Sequence, residues 1–138
     1  MGKLFLLDGM ALAYRGHFAM LRNPRMTSRG TNTSAAFVFA NTLLDILQNQ
    51  EPTHIAVAFD TPEPTHRHRR FAQYKANRDE MPEDLSASLP YLSRLCAGLG
   101  VPKLRVPGWE ADDVVGTLAR LAEAEGRGSF ELDGKMID

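Results

Sequence analysis

The stretch KLFLLD, residues 3–8, gives the clearest indication of the fold, because HIAVAFD at residues 54–60 has the same pattern of residues. Each is a short apolar run that ends in an aspartate, which is the pattern of a strand buried on both faces of a parallel sheet. The segments that follow these runs contain apolar residues at helical spacing. The order of strands and helices therefore predicts an α/β fold, a mostly parallel sheet flanked by helices.

The same patterns predict the remaining elements. KLRV at residues 103–106 is predicted to be a third short strand. The polar stretch at residues 21–34 is predicted to be a loop, and its end offers Asn32, Thr33 or Ser34 as the N-cap of the next helix. The predicted helices cover residues 10–20, 34–50, 85–99 and about 110–126, with Gly98 or Gly100 closing the third of them.

The composition is that of an ordinary globular domain. The chain has 138 residues and a net charge of -1, with one cysteine, Cys96, inside an apolar helical pattern. Such a thiol is predicted to be buried and reduced, as in a cytosolic protein. The apolar run at the N-terminus is too short for a signal peptide, and no run is long enough to cross a membrane. The sequence also contains no phosphate-binding glycine loop, no cysteine-rich zinc pattern and no serine in a nucleophile elbow.

Acidic residues gather at the predicted carboxyl ends of the strands. Asp8 and Asp60 end the first two strands, and the EADD stretch at residues 110–113 opens the helix after the third. In parallel sheets these ends meet at one edge, where ligands bind. Clustered carboxylates suit Mg²⁺ or Mn²⁺, and two such ions can drive phosphodiester cleavage. Each acid alone also has a simpler interpretation, because aspartates form turns and acids favour the first turn of a helix.

Positive charge concentrates in other stretches. Residues 9–44 contain four arginines and no acid, and HRHRRFAQYKANR at residues 66–78 contains five arginines and lysines. Cations contact phosphates and aromatic faces can stack on unpaired bases, so this segregation favours a polyanion held beside an acidic centre. The alternative is a solvated basic helix whose aromatic residues are core contacts. We favour phosphate contact for Lys75 and Arg78.

Five stretches together resemble a known family. They are LLDGMALAYRGHFA (6–19), TSRGTNTSAAFVFANTLL (27–44), PTHIAVAFD (52–60), RHRRFAQYKANRDEMPEDL (67–85) and VPGWEADDVVGTLA (106–119). Over roughly residues 3–126 they resemble the 5′-nuclease domain at the N-terminus of bacterial DNA polymerase I, which belongs with the flap endonucleases. The resemblance implies a PIN-like, resolvase-like fold. It also implies a divalent-metal 5′-3′ exonuclease that cuts 5′ flaps of DNA in replication and repair.

The resemblance also implies roles for single residues. The metal-site carboxylates would be Asp8, Asp60, Glu110, Asp112 and Asp113, with Mg²⁺ or Mn²⁺ as the cofactor. The catalytic helpers would be Arg15, Lys75 and Arg78. An arch-like segment at about residues 61–81 would engage the 5′ strand. The DNA-binding residues would be Arg15, Thr27, Ser28, Arg67, Arg70, Tyr74, Lys75 and Arg78.

The chain departs from the family pattern in its basic segment and at its C-terminal end. His66 stands where the family usually has Phe, and Arg69 where Glu is common, so the arch would be more basic. The stretch GRGSFELDGKMID (126–138) lacks a recognisable TGDKD-like motif. The second metal site would therefore be incomplete unless Asp133 or Asp138 replaces its ligands. The helix-hairpin-helix region and the polymerase portion expected in a full-length protein are absent from this sequence.

We therefore expect residues 1–126 to be the N-terminal part of a 5′-nuclease domain and residues 127–138 to be a divergent or truncated tail. Losing the later strands of the family would expose a sheet edge. The expected substrate is DNA with 5′ ends or 5′ flaps, in a bacterial cytoplasm near the nucleoid and without a membrane partner. Activity is expected to be weak or absent in this form. Two alternatives stay open, a non-catalytic fragment that binds DNA and, more remotely, a PIN-type ribonuclease.

Overall fold

The computed structural model describes residues 2–61 and 81–124, together with the backbone of residues 129–132 and 135–137. The basic segment at residues 66–78 lies outside these described residues. A π-helical turn at Ile46–Gln50 extends the second helix. In chain order the elements are β1 (Lys3–Asp8), α1 (Gly9–Ala19), α2 (Ser34–Asp45), β2 (His54–Ala58), α3 (Glu83–Leu99), β3 (Lys103–Leu104), α4 (Ala111–Ala124), β4 (Ser129–Leu132) and β5 (Lys135–Ile137).

The described strands form one sheet in the order β3-β2-β1-β4-β5. All neighbouring pairs are parallel except β4 and β5, which are antiparallel. In the register of β1 and β2, Asp8 stands opposite Ala58, so Asp60 lies two residues further along the neighbouring strand. The predicted α/β class and mostly parallel sheet are thus confirmed. The two strand-end aspartates are also at the same edge.

One face of the sheet, which we call the three-helix face, carries the larger core among the described residues. Alternate residues of β1 and β2 point to it, and α1, α2 and α3 cover it, because side chains alternate between faces along a strand. Cys96 is buried here as predicted, and burial raises the pKa of its thiol. The buried apolar residues of this face are Phe5, Leu7, Leu12, Ala13, Ala35, Phe39, Leu43, Ile46, Val57, Phe59, Leu85, Leu92, Cys96 and Val101.

The opposite face, which we call the single-helix face, is covered within the described residues by α4. Its buried cluster is small and consists of Leu6, Ala58, Ala111 and Val115. Beside this cluster a cavity of about 690 Å³ lies between the sheet and the outer part of α4, and Leu6, Leu104 and Leu118 are among its walls. The two faces therefore differ strongly in how tightly they are packed.

One predicted strand is shorter than the sequence suggests, and one predicted helix reaches its predicted end but changes type on the way. The third strand spans Lys103–Leu104 rather than residues 103–106, because β2 ends at Ala58 and offers no partner beyond Leu104. The helix predicted at residues 34–50 is α-helical only to Asp45 and finishes with the π-helical turn. Gly100, at φ 71°, closes α3 and resolves the predicted choice between two glycines.

The structure confirms one of the three predicted N-cap residues of α2. Thr33 occupies the N-cap position, but its side chain makes no capping hydrogen bond. Instead the backbone N–H of Ser34 donates to Oδ1 of Asn32 at 3.0 Å, and the Asn32 amide donates to Asp84 at 2.9 Å. The start of α2 is therefore tied to the start of α3.

Residues 127–138, predicted only as a divergent or truncated tail, contain β4 and β5. The strand β4 pairs with β1 from Lys3↔Ser129 to Leu6↔Leu132, so β1 is an inner strand of the sheet. A stretch of four residues such as SFEL gives little strand signal by itself, and its pairing with β1 supplies the hydrogen bonds that hold it. In the part of the chain that the structure describes, no helix is both long and apolar enough to cross a bilayer.

Candidate metal centre

Asp8 joins the first strand to the first helix. Its side chain is half-buried, and Oδ1 accepts a hydrogen bond from the backbone N–H of Ala11 at 3.1 Å. This bond caps α1, because the first N–H groups of a helix have no partner within the helix. Asp8 therefore has a structural role as the N-cap of α1.

Asp60 joins the second strand to the acidic helix. Its exposed side chain accepts a hydrogen bond through Oδ1 from the backbone N–H of Ala111, the first residue of α4, at 2.7 Å. The two residues are 51 positions apart in sequence. The fold thus places the Asp60 carboxylate directly at the N-terminus of the helix that begins within the EADD stretch.

The EADD stretch supplies its own capping contact. Glu110 precedes α4 and its backbone N–H donates to Oδ2 of Asp113 at 3.3 Å, as in a capping box. Glu110 is 5% exposed, whereas Asp113 is half-buried and Asp112 is exposed. One carboxylate oxygen from each of these three residues lies within 4.8 Å of the others. The three acids therefore face one small volume at the end of the sheet.

The donor set fits a hard divalent cation. Every candidate ligand atom is a carboxylate oxygen. Mg²⁺, Mn²⁺ and Ca²⁺ prefer oxygen ligands, whereas softer metals prefer sulfur or nitrogen. Burying a charged group such as Glu110 is unfavourable without hydrogen bonds or a counter-ion, and the helix N-terminus offsets part of that penalty. Next to Asp60 in sequence, the buried Thr61 hydroxyl has no hydrogen-bond partner within the described residues.

The structure brings some of the predicted carboxylates closer together than others. Glu110, Asp112 and Asp113 form the 4.8 Å group among the described residues, and Asp60 reaches the same helix start through Ala111. Asp8 lies at the same edge of the sheet but outside that group. The acidic residues of this edge were therefore predicted from the sequence. The structure adds the hydrogen bond from Ala111 to Asp60, which connects the second strand to α4.

The predicted DNA-binding residues of the first third of the chain are exposed to solvent. Arg15 is exposed on α1. Thr27 and Ser28 are exposed in the loop before α2, where Thr27 Oγ1 accepts a hydrogen bond from the N–H of Thr31 at 3.1 Å. Gly30, at φ 86°, completes this tight turn. The turn presents small polar side chains and an adjacent basic residue to solvent, which is compatible with contact to a phosphate.

The predicted arch residues cannot be placed in the same way. They lie outside the described residues, as do the two acids considered as replacement ligands. The residues concerned are Arg67, Arg70, Tyr74, Lys75 and Arg78 in the arch, and Asp133 and Asp138 in the tail.

A groove beside the acidic group contains residues that the sequence did not single out. It has a volume of about 630 Å³ and lies between β3 and α4, with Arg105, Trp109 and Asp113 among its walls. Trp109 is 47% exposed, and the Arg105 guanidinium stacks 5.1 Å from the ring centre of Phe59. The available signal was the combination of two cations and one tryptophan in KLRVPGWEADD, immediately before the acids.

Comparison with known families identifies the family of this chain. The family model for the N-terminal resolvase-like domain of 5′-3′ exonucleases matches residues 3–131. This chain belongs to that 5′-3′ exonuclease family. The resemblance that the motifs suggested is therefore confirmed, and the match extends five residues beyond the expected boundary at residue 126, into β4.

Members of the 5′-3′ exonuclease family among curated proteins include bacterial DNA polymerases. DNA polymerase I of Synechocystis sp. is 43% identical over 119 residues, which are 84% of this chain and 12% of that protein. DNA polymerase I of Bacillus subtilis is 39% identical over 125 residues, or 90% of this chain and 14% of that protein. The chain thus spans about an eighth of the length of these relatives.

Solved structures of bacteriophage T5 enzymes share the fold. The 5′-exonuclease of T5 with bound zinc superposes with a TM-score of 0.64 at 20% identity, covering 94% of this chain and 48% of that one. A T5 flap endonuclease in a pseudo-enzyme-product complex with DNA and metal ions gives a TM-score of 0.61 at 20% identity and covers 47% of that chain. At this identity the likeness establishes the resolvase-like fold.

Proposed function

We propose that this chain provides the front half of a divalent-metal 5′-3′ exonuclease and 5′-flap endonuclease that hydrolyses phosphodiester bonds in DNA. The observation that carries the proposal is the convergence of Asp60 and the EADD acids at one helix start, within a member of the 5′-3′ exonuclease family. Support also comes from relatives named DNA polymerase I and from a T5 flap endonuclease solved with DNA and metal ions.

The cation would be held by carboxylates at the end of the sheet. Its proposed ligands are Asp8, Asp60, Glu110, Asp112 and Asp113, directly or through water. We favour Mg²⁺ or Mn²⁺ because the donor set is all oxygen, although a T5 relative was solved with zinc. When bound, such an ion activates a water and stabilises the leaving oxygen. We propose weak activity for this chain alone.

The remaining residues are proposed to position the DNA. Asp60 and Asp113 hold the helix start through backbone N–H groups, so Glu110 is presented in one orientation. The cations Arg15, Lys75 and Arg78 are proposed to draw negative charge away from the scissile phosphate.

The other predicted contacts are proposed to bind the strands on either side. Thr27 and Ser28 would meet a template-side phosphate, and the arch would hold the 5′ strand through Arg67, Arg70 and Tyr74. The setting we propose is primer removal and repair on bacterial chromosomal DNA in the cytoplasm.

The test is cleavage of a 5′-labelled flap DNA in Mn²⁺ and then in EDTA. We compare the chain with Asp60→Asn and Asp60→Ala, because Asn keeps an oxygen that can accept the Ala111 N–H while removing the charge. Glu123→Gln, which neutralises an exposed carboxylate at the far end of α4, is the matched control.

Metal-dependent cutting near the flap junction is expected for the chain and for the control, and none for either Asp60 variant. Only Asp60→Ala should also lose stability, by about 1 kcal/mol for the lost cap. Cutting that persists in EDTA or in Asp60→Asn would contradict the proposal. Salt-sensitive binding without cutting would favour the DNA-binding fragment, and cleavage of RNA without need for a 5′ end would favour the ribonuclease.

A further inference from the structure

A close contact between Phe59 and Gly9 joins the two chain segments that carry the strand-end aspartates. Phe59 directly precedes Asp60, and its side chain belongs to the buried cluster of the three-helix face, with 5% of its surface exposed. Gly9 directly follows Asp8 and begins α1. A Cβ at Gly9 would lie 2.5 Å from Cε1 of Phe59 and 3.0 Å from Cζ. The ring therefore occupies the space that a side chain at position 9 would need.

The Phe59 ring is also held by other groups. The Phe39 ring of α2 packs beside it with ring centres 6.4 Å apart, and the Arg105 guanidinium lies 5.1 Å from its centre. The backbone N–H of Phe59 donates to the carbonyl oxygen of Leu104 in β3 at 2.9 Å. Side chains in a close-packed interior have little room to yield, so they transmit a change of volume. A group added at Gly9 would therefore displace Phe59 or the start of α1.

The contact stands where the strand pairing of β1 and β2 ends. Their last pair in register is Asp8 with Ala58. Gly9 and Phe59 are the next residues on the two chains, and beyond the pair one chain enters α1 while the other continues to Asp60. Their contact therefore sets how far apart the two chains are at the point where the carboxylates project.

A shift at this contact would reach the carboxylates on both sides. Asp8 caps α1 by accepting the N–H of Ala11, so a displaced helix start would carry the Asp8 side chain with it. Asp60 accepts the N–H of Ala111, so a displaced Phe59 would be felt at the acidic start of α4. The strand-end aspartates and the EADD acids are thus connected through one tightly packed ring.

We propose that Phe59 and Gly9 are positioning residues of the metal centre, whose contact sets the distance between the Asp8 and Asp60 carboxylates. The proposal rests on the proposed nuclease function, because it concerns the cation of the same site. Neither side chain offers an oxygen to a cation, so both residues act on it through the two aspartates. Replacing a residue that orients metal ligands typically lowers metal affinity by about 10- to 100-fold.

The experiment measures Mn²⁺ affinity by calorimetric titration and stability by urea unfolding in EDTA. The variants are Gly9→Ala and Phe59→Leu, alone and combined. Gly16→Ala is the matched control for the glycine, because its Cβ would also be crowded on the same helix, 2.8 Å from the Cβ of Val38. Phe5→Leu is the matched control for the phenylalanine, because Phe5 is buried in the same cluster and is followed by an apolar residue rather than an acid.

We expect Gly9→Ala and Phe59→Leu each to bind Mn²⁺ about tenfold more weakly than the unchanged chain. Alanine is otherwise favoured over glycine in a helix, so the loss in Gly9→Ala would come from the contact. Both controls should unfold at lower urea concentration, as the variants do, and still bind Mn²⁺ like the unchanged chain. The double variant should lose less affinity than the two single losses together, because leucine leaves room for the added methyl group.

The inference is overturned if Gly9→Ala binds Mn²⁺ as tightly as the unchanged chain, if the controls lose as much affinity as their matched variants, or if the two losses simply add. Circular dichroism in EDTA shows whether each variant folds. If Gly9→Ala alone does not fold, the double variant is expected to fold, and its failure to do so would also overturn the inference.

The same titration separates this inference from the proposed function. Equal Mn²⁺ binding by the unchanged chain and all variants would remove the positioning role and leave the metal centre standing. An unchanged chain that binds no Mn²⁺ would contradict both.

Discussion

The two faces of the sheet differ in how tightly their side chains are packed. The three-helix face buries an extended apolar cluster in which side chains such as Phe39 and Leu43 have no exposed surface. The single-helix face has a small cluster around Leu6 and Val115, and a cavity of about 690 Å³ opens beside it. The described candidate metal ligands at the start of α4, together with the Trp109 groove, lie on the less tightly packed side.

This difference indicates where stability and function are located. Burial of apolar surface is the main favourable term in folding, so the three-helix face is expected to carry most of the free energy of unfolding. The acids of α4 would repel one another. The fold holds the helix start through hydrogen bonds that the backbone N–H groups of Ala111 and Glu110 donate to Asp60 and Asp113, rather than through a large core. Substitutions on the two faces should therefore have separable effects.

The largest expected effect comes from the same substitution made on both faces. Leu43→Ala should lower the free energy of unfolding by about 4–5 kcal/mol, because the site is tightly packed and the cavity cannot collapse. Leu6→Ala should cost only about 2–3 kcal/mol, because Leu6 already borders an open cavity. Urea unfolding followed by circular dichroism measures both. Equal losses would show that the two faces are packed alike.

A smaller effect is expected where two helices of the three-helix face approach each other. A Cβ at Gly16 of α1 would lie 2.8 Å from the Cβ of Val38 in α2, so Gly16→Ala should destabilise by about 1–3 kcal/mol. Gly116→Ala on α4 is the matched control, since its Cβ would meet nothing within 4 Å. Replacing that helical glycine should stabilise by up to about 1 kcal/mol. Thermal unfolding of the two variants should shift in opposite directions, and a common direction would contradict this account of the close approach.

The smallest effect is expected at the rim of the three-helix face, where α3 begins. The hydrogen bond from the Asn32 side chain, aided by the nearby charge of His17 when protonated, lowers the pKa of Asp84. A lowered pKa in the folded state adds stability that is complete above the ordinary value of about 3.9 and is lost as pH falls through the folded value. Asp84 is half exposed, so the effect is screened and small.

Below about pH 4, the stability of Asp84→Asn should therefore fall less steeply with pH than that of the unchanged chain. Asn32→Ala should reproduce this change, because it removes the main cause of the shift. Acid unfolding curves of the three proteins test the prediction. Identical slopes in all of them would mean that Asp84 is not coupled to folding.

Much of the fold could be predicted because local patterns and tertiary packing agree. The continuous burial of Phe5, Leu6 and Leu7 follows from a strand that is covered on both faces. The length of β3 and the existence of β4 could not be predicted. A strand ends where its partner ends, and the pairing of β4 with β1 joins segments more than 120 residues apart.

The site could be predicted as a set of residues but not as a geometry. Aspartates at strand ends and acids at a helix start are visible in the sequence, and sheet topology brings them to one edge. The bond from Ala111 to Asp60 joins residues 51 positions apart and has no local signal. No sequence pattern selected Trp109, because a single aromatic residue before a helix is ordinary. The groove that β3 and α4 form around it is visible only in the structure.

The most direct test of the central claim is calorimetric titration of the chain with Mn²⁺, beside Glu110→Gln. Glu110 is the most buried acid of the group, and Gln keeps its size while removing its charge. The account predicts that the chain binds Mn²⁺ and that Glu110→Gln binds at least about tenfold more weakly, with unchanged circular dichroism. Equal affinity of the two proteins for Mn²⁺ would contradict a metal centre at this end of the sheet.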